Sequence, residues 1–156
     1  GEDGYILQID ILRYFDSIDH DVLKELVHKR VHETPEIMDL IDHIIDSSMD
    51  RGLNLGSEAP QIFAIYYLSP VDTYAKTVRR VKYYGRYMDD IFILSESKEE
   101  LRDILAGIKE QLIGLKLEIN ERKTHITKLR RGFTFMQIKY NVANGKIIKR
   151  PTHSNL

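Results

Sequence analysis

Short apolar segments that end beside aspartates constrain the fold of this chain more than any other feature of its sequence. Residues 5–11 form an apolar run typical of a buried strand, and Asp10 lies near its end. Two more strand-like runs, 81–87 and 91–94, flank residues 88–90 (Met-Asp-Asp), which predicts a hairpin with carboxylates at its tip. If these strands are neighbours in one sheet, the carboxylates converge at one place.

A group of carboxylates at one end of a sheet predicts a divalent metal site. Neighbouring acidic groups repel each other and raise each other's pKa, and a bound cation relieves this repulsion. Mg²⁺ prefers carboxylate and phosphate oxygens, and two such ions can support in-line phosphoryl transfer. The alternative is that Asp89 and Asp90 form an ordinary polar turn, since aspartate is common in turns. The spacing alone leaves both interpretations open.

Helical patterns fill most of the chain between these strands. Capping residues, prolines and glycines mark where the helices start and end. We expect helices over about 19–32, 34–45, 57–78 and 97–113, the first capped by Asp19 or Asp21, the third by Ser57, and the last ended by Gly114. Pro70 should kink or reset the third helix before residues 71–78.

The C-terminal third predicts further strands, near 117–119, 125–129, 133–141 and 146–149. Asn-Gly between the last two is the strongest short hairpin signal in the chain. The order of elements, βααα-ββ-α-ββββ, predicts an α+β fold with an antiparallel sheet and helices packed on one face. The tail over 151–156 is expected to be disordered.

Composition excludes several classes of protein. The 156 residues suffice for one domain with its own core, and the absence of cysteine excludes disulfide scaffolds, thiolate metal sites and thiol nucleophiles. The sequence has no run of 18 apolar residues and no signal peptide, so we expect a cytoplasmic protein without membrane association. Because the chain starts with Gly1 and reaches a strand by Tyr5, we expect a fragment of a longer protein.

The net charge of −1 hides a strong gradient along the chain. Residues 1–50 hold 13 acidic and 4 basic residues, whereas residues 122–156 hold 9 basic and no acidic ones. A near-neutral total therefore does not argue against a polyanionic partner, because the C-terminal fifth has the charge to meet phosphate. A basic segment that is only a solvated surface would explain the same composition.

Five motifs together make the sequence resemble reverse transcriptases. Tyr-Met-Asp-Asp at 87–90 resembles the family's YxDD signature, and residues 8–20 resemble its motif A. Residues 52–61, 114–124 and 132–136 resemble motifs B, D and E, in the family's order. The resemblance implies a reverse-transcriptase palm over residues 1–150, with the fingers and the thumb absent from this chain.

The resemblance also implies roles for the carboxylates and for one lysine. Asp10 and Asp89 would ligate two catalytic Mg²⁺ ions (or Mn²⁺ in their place), with Asp90 beside the site and the backbone carbonyl of Ile11 as a further metal ligand. Lys123 matches the motif D lysine, which is a candidate proton donor to the leaving pyrophosphate. A lysine in a basic segment is equally well explained as a phosphate contact.

Further matches lie where the family binds its nucleotide. Phe15 matches the steric gate, whose ring would block a ribose 2′-OH and favour deoxynucleotides. A phenylalanine that follows a strand is also an ordinary core residue. Gly56 and Gln61 match the motif B positions that touch the incoming nucleotide and the template. Motif E, with Lys139 nearby, would hold the primer backbone, which gives the basic C-terminal segment a purpose.

The implied activity is RNA-directed DNA polymerisation by nucleotidyl transfer from a dNTP to a primer 3′-OH. The implied partners are an RNA template, a DNA or RNA primer and a dNTP. The sequence is similar to bacterial enzymes of the retron, group II intron and diversity-generating types, and Gly-Ser-x-x-x-Gln over 56–61 favours the last type or an orphan bacterial group. Two alternatives are a nucleic-acid-binding or phage-defence module with little polymerase activity, and an unrelated palm enzyme such as a nucleotide cyclase. The isolated palm is expected to be soluble but nearly inactive.

Overall fold

The computed structural model describes residues 3–47, 51–54, 56 and 58–152. Its strands are β1 (Tyr5–Ile9), β2 (Tyr83–Tyr87), β3 (Asp90–Ser95), β4 (His125–Lys128), β5 (Phe133–Phe135), β6 (Ile138–Ala143) and β7 (Lys146–Pro151). Its helices are α1 (Tyr14–Ser17), α2 (His20–Arg30), α3 (Pro35–Asp46), α4 (Glu58–Tyr67), α5 (Ser69–Thr73) and α6 (Lys98–Gly114). A π-helical turn (Tyr74–Val78) follows α5, and a 3₁₀ turn (Leu129–Arg131) follows β4.

The first sheet has helices packed on one face, as predicted. Its strands are antiparallel and lie in the order β2-β3-β1-β4. Successive side chains in a strand point to opposite faces, so Leu7 and Ile9 of β1 share a face with Ile91 and Ile93 of β3. All four are buried in one core cluster with the apolar side of α6, which packs against β1 and β3. Burial of this face stabilises the layered α+β arrangement.

A second, three-stranded sheet with the order β5-β6-β7 lies against the other face of the first. Gln8 Nε2 of β1 donates a hydrogen bond to the carbonyl of Thr134 on β5 at 2.7 Å. The rings of Phe92 on β3 and Phe135 on β5 meet edge to face, with their centroids 4.8 Å apart. The C-terminal strands therefore form a separate sheet that covers part of the first one, rather than extending it.

The predicted caps explain where α2 and α6 begin. The carboxylate of Asp19 accepts a hydrogen bond from the backbone N–H of Val22 at 3.1 Å, which caps α2. The helix ends at Arg30, two residues before the predicted end. The Ser97 hydroxyl accepts one from the N–H of Glu100 at 3.1 Å. The capping box is incomplete, because the Glu100 carboxylate accepts a hydrogen bond from the Ser95 hydroxyl instead.

Two strand predictions in the C-terminal third were wrong in extent. The segment 117–119 forms only a single bridge, in which Ile119 pairs with Ile11. The run 133–141 is broken by a two-residue turn at 136–137 (Met-Gln), where both residues have a left-handed φ, of 49° and 60°. Such turns usually contain glycine or asparagine, so the sequence carried no signal for this one.

Other predictions concern the breaks between elements and the tail. Pro70 lies in the first turn of α5, after the chain has reset at the end of α4. Ser57, the predicted cap of α4, lies outside the described residues. Pro151 ends β7 and the N–H of Thr152 still donates to the turn between β5 and β6, whereas 153–156 lie outside the described residues. None of the described helices is long and apolar enough to cross a membrane.

Candidate active site

Asp10 and Asp90 lie next to each other at one end of the first sheet. The antiparallel register pairs Ile9 with Ile91, so the next positions along β1 and β3 are Asp10 and Asp90. Both line an open cleft of about 560 Å³. Asp89, which is half-buried, lies directly before β3 in the two-residue turn of the β2–β3 hairpin. The structure therefore brings the three predicted carboxylates to one end of the sheet.

The loop after α6 holds the backbone of Asp10 on both sides. The Asn120 N–H donates to the Asp10 carbonyl at 2.7 Å, and the Asp10 N–H donates to the Thr124 hydroxyl at 3.3 Å. The same loop carries Lys123, whose Nζ lies 3.8 Å from Oδ1 of Asp10. Sequence reasoning named Lys123 but missed Asn120 and Thr124. Their signals are a place within the segment 114–124 that resembles motif D and in a short polar loop after an apolar segment.

Burial and mutual repulsion raise the pKa of two of these carboxylates. Partial burial raises the pKa of Asp89 above its usual 3.8, and the charges of Asp90 and Asp10 add to this effect against the Lys123 ammonium. Burial and the charge of Asp10 raise the pKa of Asp90 in the same way, again opposed by Lys123. A bound cation would favour the charged forms of these carboxylates and so oppose this rise in pKa.

The three carboxylates are the type of ligand that suits Mg²⁺, but the spacing between them fits a metal site less well. Three carboxylates supply hard oxygen ligands of the kind that Mg²⁺ prefers. Within the part of the chain that the structure describes, however, no group of three or more His, Cys, Asp or Glu residues lies close enough to hold a metal ion. Charged carboxylates repel one another, and a bound cation would offset this repulsion. Ile11, the predicted carbonyl ligand, is buried and bridged to Ile119.

Phe15 does not line the cleft. Its half-buried ring packs against the core and meets the ring of Tyr14 edge to face, with 5.2 Å between the centroids. Its carbonyl accepts a hydrogen bond from the N–H of Leu53 at 3.0 Å. Gly52, with φ of 85°, lies so close that a Cβ there would come within 2.8 Å of this carbonyl. The glycine therefore allows the loop before α4 to hold the backbone at Phe15.

The two predicted motif B residues lie before and within α4. The N–H of Gly56 donates to the side-chain oxygen of Asn54 at 3.1 Å, which forms a local turn. Gln61 is exposed on α4. Neither of them lines the cleft, so their predicted contacts with a nucleotide and a template stay predictions.

The second sheet supplies the opposite wall of the cleft. Residues 134–137, from β5 and the turn that follows it, line the cleft together with Asp10 and Asp90. Lys139 lies on β6 just beyond this wall and is exposed. The cleft is thus bounded by acidic groups on one side and leads to an exposed lysine of the second sheet on the other.

A family model described as reverse transcriptase (RNA-dependent DNA polymerase) matches residues 1–140. The chain belongs to the reverse transcriptase family. The comparison with curated protein sequences found no match.

Solved structures share this reverse transcriptase's fold. A structure of apo telomerase from Candida tropicalis, truncated from its C-terminal domain, superposes with a TM-score of 0.74 at 16% identity, over 94% of this chain and 35% of that one. A second structure of apo telomerase from the same organism gives a TM-score of 0.71 at 14% identity, over 94% of this chain and 32% of that one. The reverse transcriptase chain thus spans about a third of the length of either telomerase chain.

Proposed function

We propose that this chain is the catalytic palm of an RNA-directed DNA polymerase that joins a dNTP to a primer 3′-OH. The observation that carries the proposal is the meeting of Asp10, Asp89, Asp90 and Lys123 at one end of the sheet, in a member of the reverse transcriptase family. The raised pKa values of Asp89 and Asp90 support it, because perturbed carboxylates in a cleft are typical of catalytic sites.

Each residue has a role in the proposed reaction. Asp10 and Asp89, with Asp90 beside them and the carbonyl of Ile11, would hold two Mg²⁺ or Mn²⁺ ions. When bound, these ions would favour the deprotonated primer hydroxyl and offset charge on the phosphates. The Lys123 ammonium would give a proton to the leaving pyrophosphate or contact its phosphates.

The nucleotide and the primer would meet the surrounding elements. Phe15 would exclude the ribose 2′-OH, and Gly56 and Gln61 would contact the nucleotide and the template. The basic strands of the second sheet, including Lys139, would follow the primer backbone. We propose that residues 1–150 form the palm and that fingers and a thumb lie elsewhere in the full-length protein. Within the family we propose a bacterial retron, group II intron or diversity-generating type, acting in the cytoplasm.

The test is primer extension by the full-length polypeptide that carries this chain, with dNTPs and Mg²⁺ on matched RNA and DNA templates. Asp89→Asn should abolish RNA-templated extension, with a loss of at least about 100-fold, because a ligand of the reacting centre contributes several kcal/mol. Asp103→Asn is the matched control, since Asp103 is exposed on α6 and lies outside the cleft. It should extend the primer like the unsubstituted protein.

Three other outcomes would contradict parts of the proposal. Extension that survives in Asp89→Asn would show that the Asp89 carboxylate is not part of the reacting centre. Absence of extension on both templates, with nucleic acid still bound, would favour a nucleic-acid-binding or phage-defence module. A nucleotide cyclase would consume nucleotides without any requirement for a primer and a template.

A further inference from the structure

A buried arginine joins the turn that carries Asp89 to the helical layer. Arg86 lies on β2, and its side chain is only 10% exposed. Its Nη1 donates a hydrogen bond to the carbonyl of Met88 at 2.8 Å, inside the turn. Its Nη2 donates to the carbonyl of Ile65 on α4 at 3.1 Å. One side chain therefore connects the turn before β3 with α4.

Asp72 on α5 fixes the orientation of this guanidinium group. Its carboxylate oxygens accept hydrogen bonds from Nε of Arg86 at 2.9 Å and from Nη2 at 2.6 Å, which is bidentate pairing. The Tyr84 hydroxyl donates to the same carboxylate at 2.5 Å. Although burial alone would raise it, the hydrogen bonds from Arg86 and Tyr84 hold the pKa of Asp72 below its usual value. The pair is thus charged and closely held.

The turn needs support because its backbone is strained. Met88 has a φ of 53°, in the left-handed region that non-glycine residues rarely adopt because it is sterically unfavourable. The carbonyl that Arg86 holds belongs to the peptide group between Met88 and Asp89. The orientation of that peptide sets the direction in which the Asp89 side chain leaves the backbone.

We propose that Arg86, oriented by Asp72, is a positioning residue that fixes the Met88–Asp89 peptide and thereby the Asp89 carboxylate for nucleotidyl transfer. This inference rests on the proposed function. Arg86 does not line the cleft, so it acts through Asp89 and not through the nucleotide. A lysine cannot replace it, because an ammonium group lacks the planar fork that reaches Asp72, Ile65 and Met88 at once.

Arg86→Lys tests the proposal, and Tyr84→Phe is its matched control. Tyr84→Phe removes a hydrogen bond to the same Asp72 carboxylate but leaves the four hydrogen bonds of Arg86 in place. In the full-length polypeptide we would measure kcat and the dNTP KM for single-nucleotide addition on a primed RNA template. We would also measure the thermal unfolding of each protein, and its Mn²⁺ affinity by water-proton relaxation.

We expect Arg86→Lys to lower kcat by about 10- to 100-fold, because small displacements of a catalytic group have effects of this size. The dNTP KM should change less than about 3-fold, since the guanidinium does not touch the nucleotide, and Mn²⁺ should bind more weakly. Tyr84→Phe should lower the unfolding temperature while its kcat stays within about 2-fold. A wild-type kcat in Arg86→Lys, or an equal loss of kcat in Tyr84→Phe, would overturn the proposal.

Failure of the polymerase proposal itself would look different. If the unsubstituted protein adds no nucleotide, Mn²⁺ affinity decides the role of Arg86. Weaker affinity in Arg86→Lys alone supports positioning, and equal affinity in all three proteins overturns it. If Arg86→Lys unfolds at the assay temperature, Asp72→Asn takes its place with the same expectations, since it keeps the shape of the partner and removes its charge.

Discussion

The carboxylates of Asp89 and Asp90 destabilise the fold at any pH at which they are charged. Because burial and the charges of Asp90 and Asp10 raise the pKa of Asp89 above 3.8, the folded chain binds this proton more tightly than the unfolded chain does. The free energy of unfolding is therefore highest below the pKa that Asp89 has in the unfolded chain. It falls as the pH rises through the higher pKa of the folded chain. A carboxylate in a salt bridge, whose pKa is lowered, has the opposite dependence.

Asp89→Asn should weaken this dependence on pH, because the raised pKa of Asp90 remains. We expect the free energy of unfolding at pH 7 to be unchanged or higher, within about 1 kcal/mol, and its slope between about pH 4 and 6 to become flatter. Urea unfolding across that range measures both quantities. Asp103→Asn on α6 should leave the slope as it is. A clear loss of stability at pH 7 in Asp89→Asn would contradict the electrostatic account.

Phe15 permits a prediction in which sugar selectivity and stability separate. Removing its ring in Phe15→Ala should raise the use of ribonucleotides relative to deoxynucleotides by at least about 10-fold. The half-buried ring also packs against the core, so its removal should lower the free energy of unfolding by about 2 kcal/mol. This loss is smaller than the roughly 3–5 kcal/mol typical of a fully buried ring. Competition between dNTPs and rNTPs in single-nucleotide addition measures the selectivity.

Leu105→Ala is the matched control for this variant. Leu105 is partly buried on α6 against the same core, so its truncation should weaken the fold with no change in sugar selectivity. If Phe15→Ala keeps the original selectivity, Phe15 is a core residue only, which is the alternative interpretation of its place after β1.

At the scale of the elements, one glycine allows the two sheets to meet. Gly85 on β2 pairs with Phe92 on β3, and the Phe92 ring covers the position where a side chain would stand. A Cβ at Gly85 would lie 2.4 Å from two atoms of that ring. The same ring contacts Phe135 of the second sheet. The space above Gly85 therefore decides whether β5 can lie against β3.

Gly85→Ala should destabilise the fold by about 1–3 kcal/mol, because it pushes the Phe92 ring out of place. Phe92→Leu alone should also destabilise the fold, since it removes the contact with Phe135. The double variant should lose less than the sum of the single losses, with a coupling of about 1 kcal/mol, because the smaller side chain leaves room for the new methyl group. Urea unfolding of the four proteins measures this cycle, and strict additivity would contradict it.

Local sequence patterns predicted most of the helices and strands, but they did not predict the contacts between them. The strand before Asp10 and the helices around it carry their own periods and caps, so each could be predicted from a short window. The contact of Asp10 with Thr124 joins residues 114 positions apart, and the pairing of Arg86 with Asp72 depends on where α5 packs. No period or motif encodes such contacts. The turn at 136–137 was missed because its residues are not typical of turns.

Across the whole molecule, the gradient of charge becomes a separation in space. The acidic first third of the sequence builds α2 and α3 in the helical layer, whereas the basic last fifth builds β6 and β7 of the second sheet. Lys139 and Arg150 are exposed, and they pair directly across β6 and β7. A surface of this kind attracts a phosphate backbone over a distance of several ångströms, whatever its base sequence.

The double variant Lys139→Gln/Arg150→Gln tests whether this surface binds nucleic acid. If each side chain meets one phosphate, the slope of log K against log salt should become shallower by about 1.4 to 1.8, and affinity at low salt should fall for every sequence alike. Titration of a labelled primer–template at several salt concentrations measures the slope. Lys29→Gln/Arg102→Gln removes the same charge from α2 and α6, where both side chains already pair with glutamates. Because that control changes the net charge equally, an equal loss of slope would mean that total charge and not this sheet governs binding.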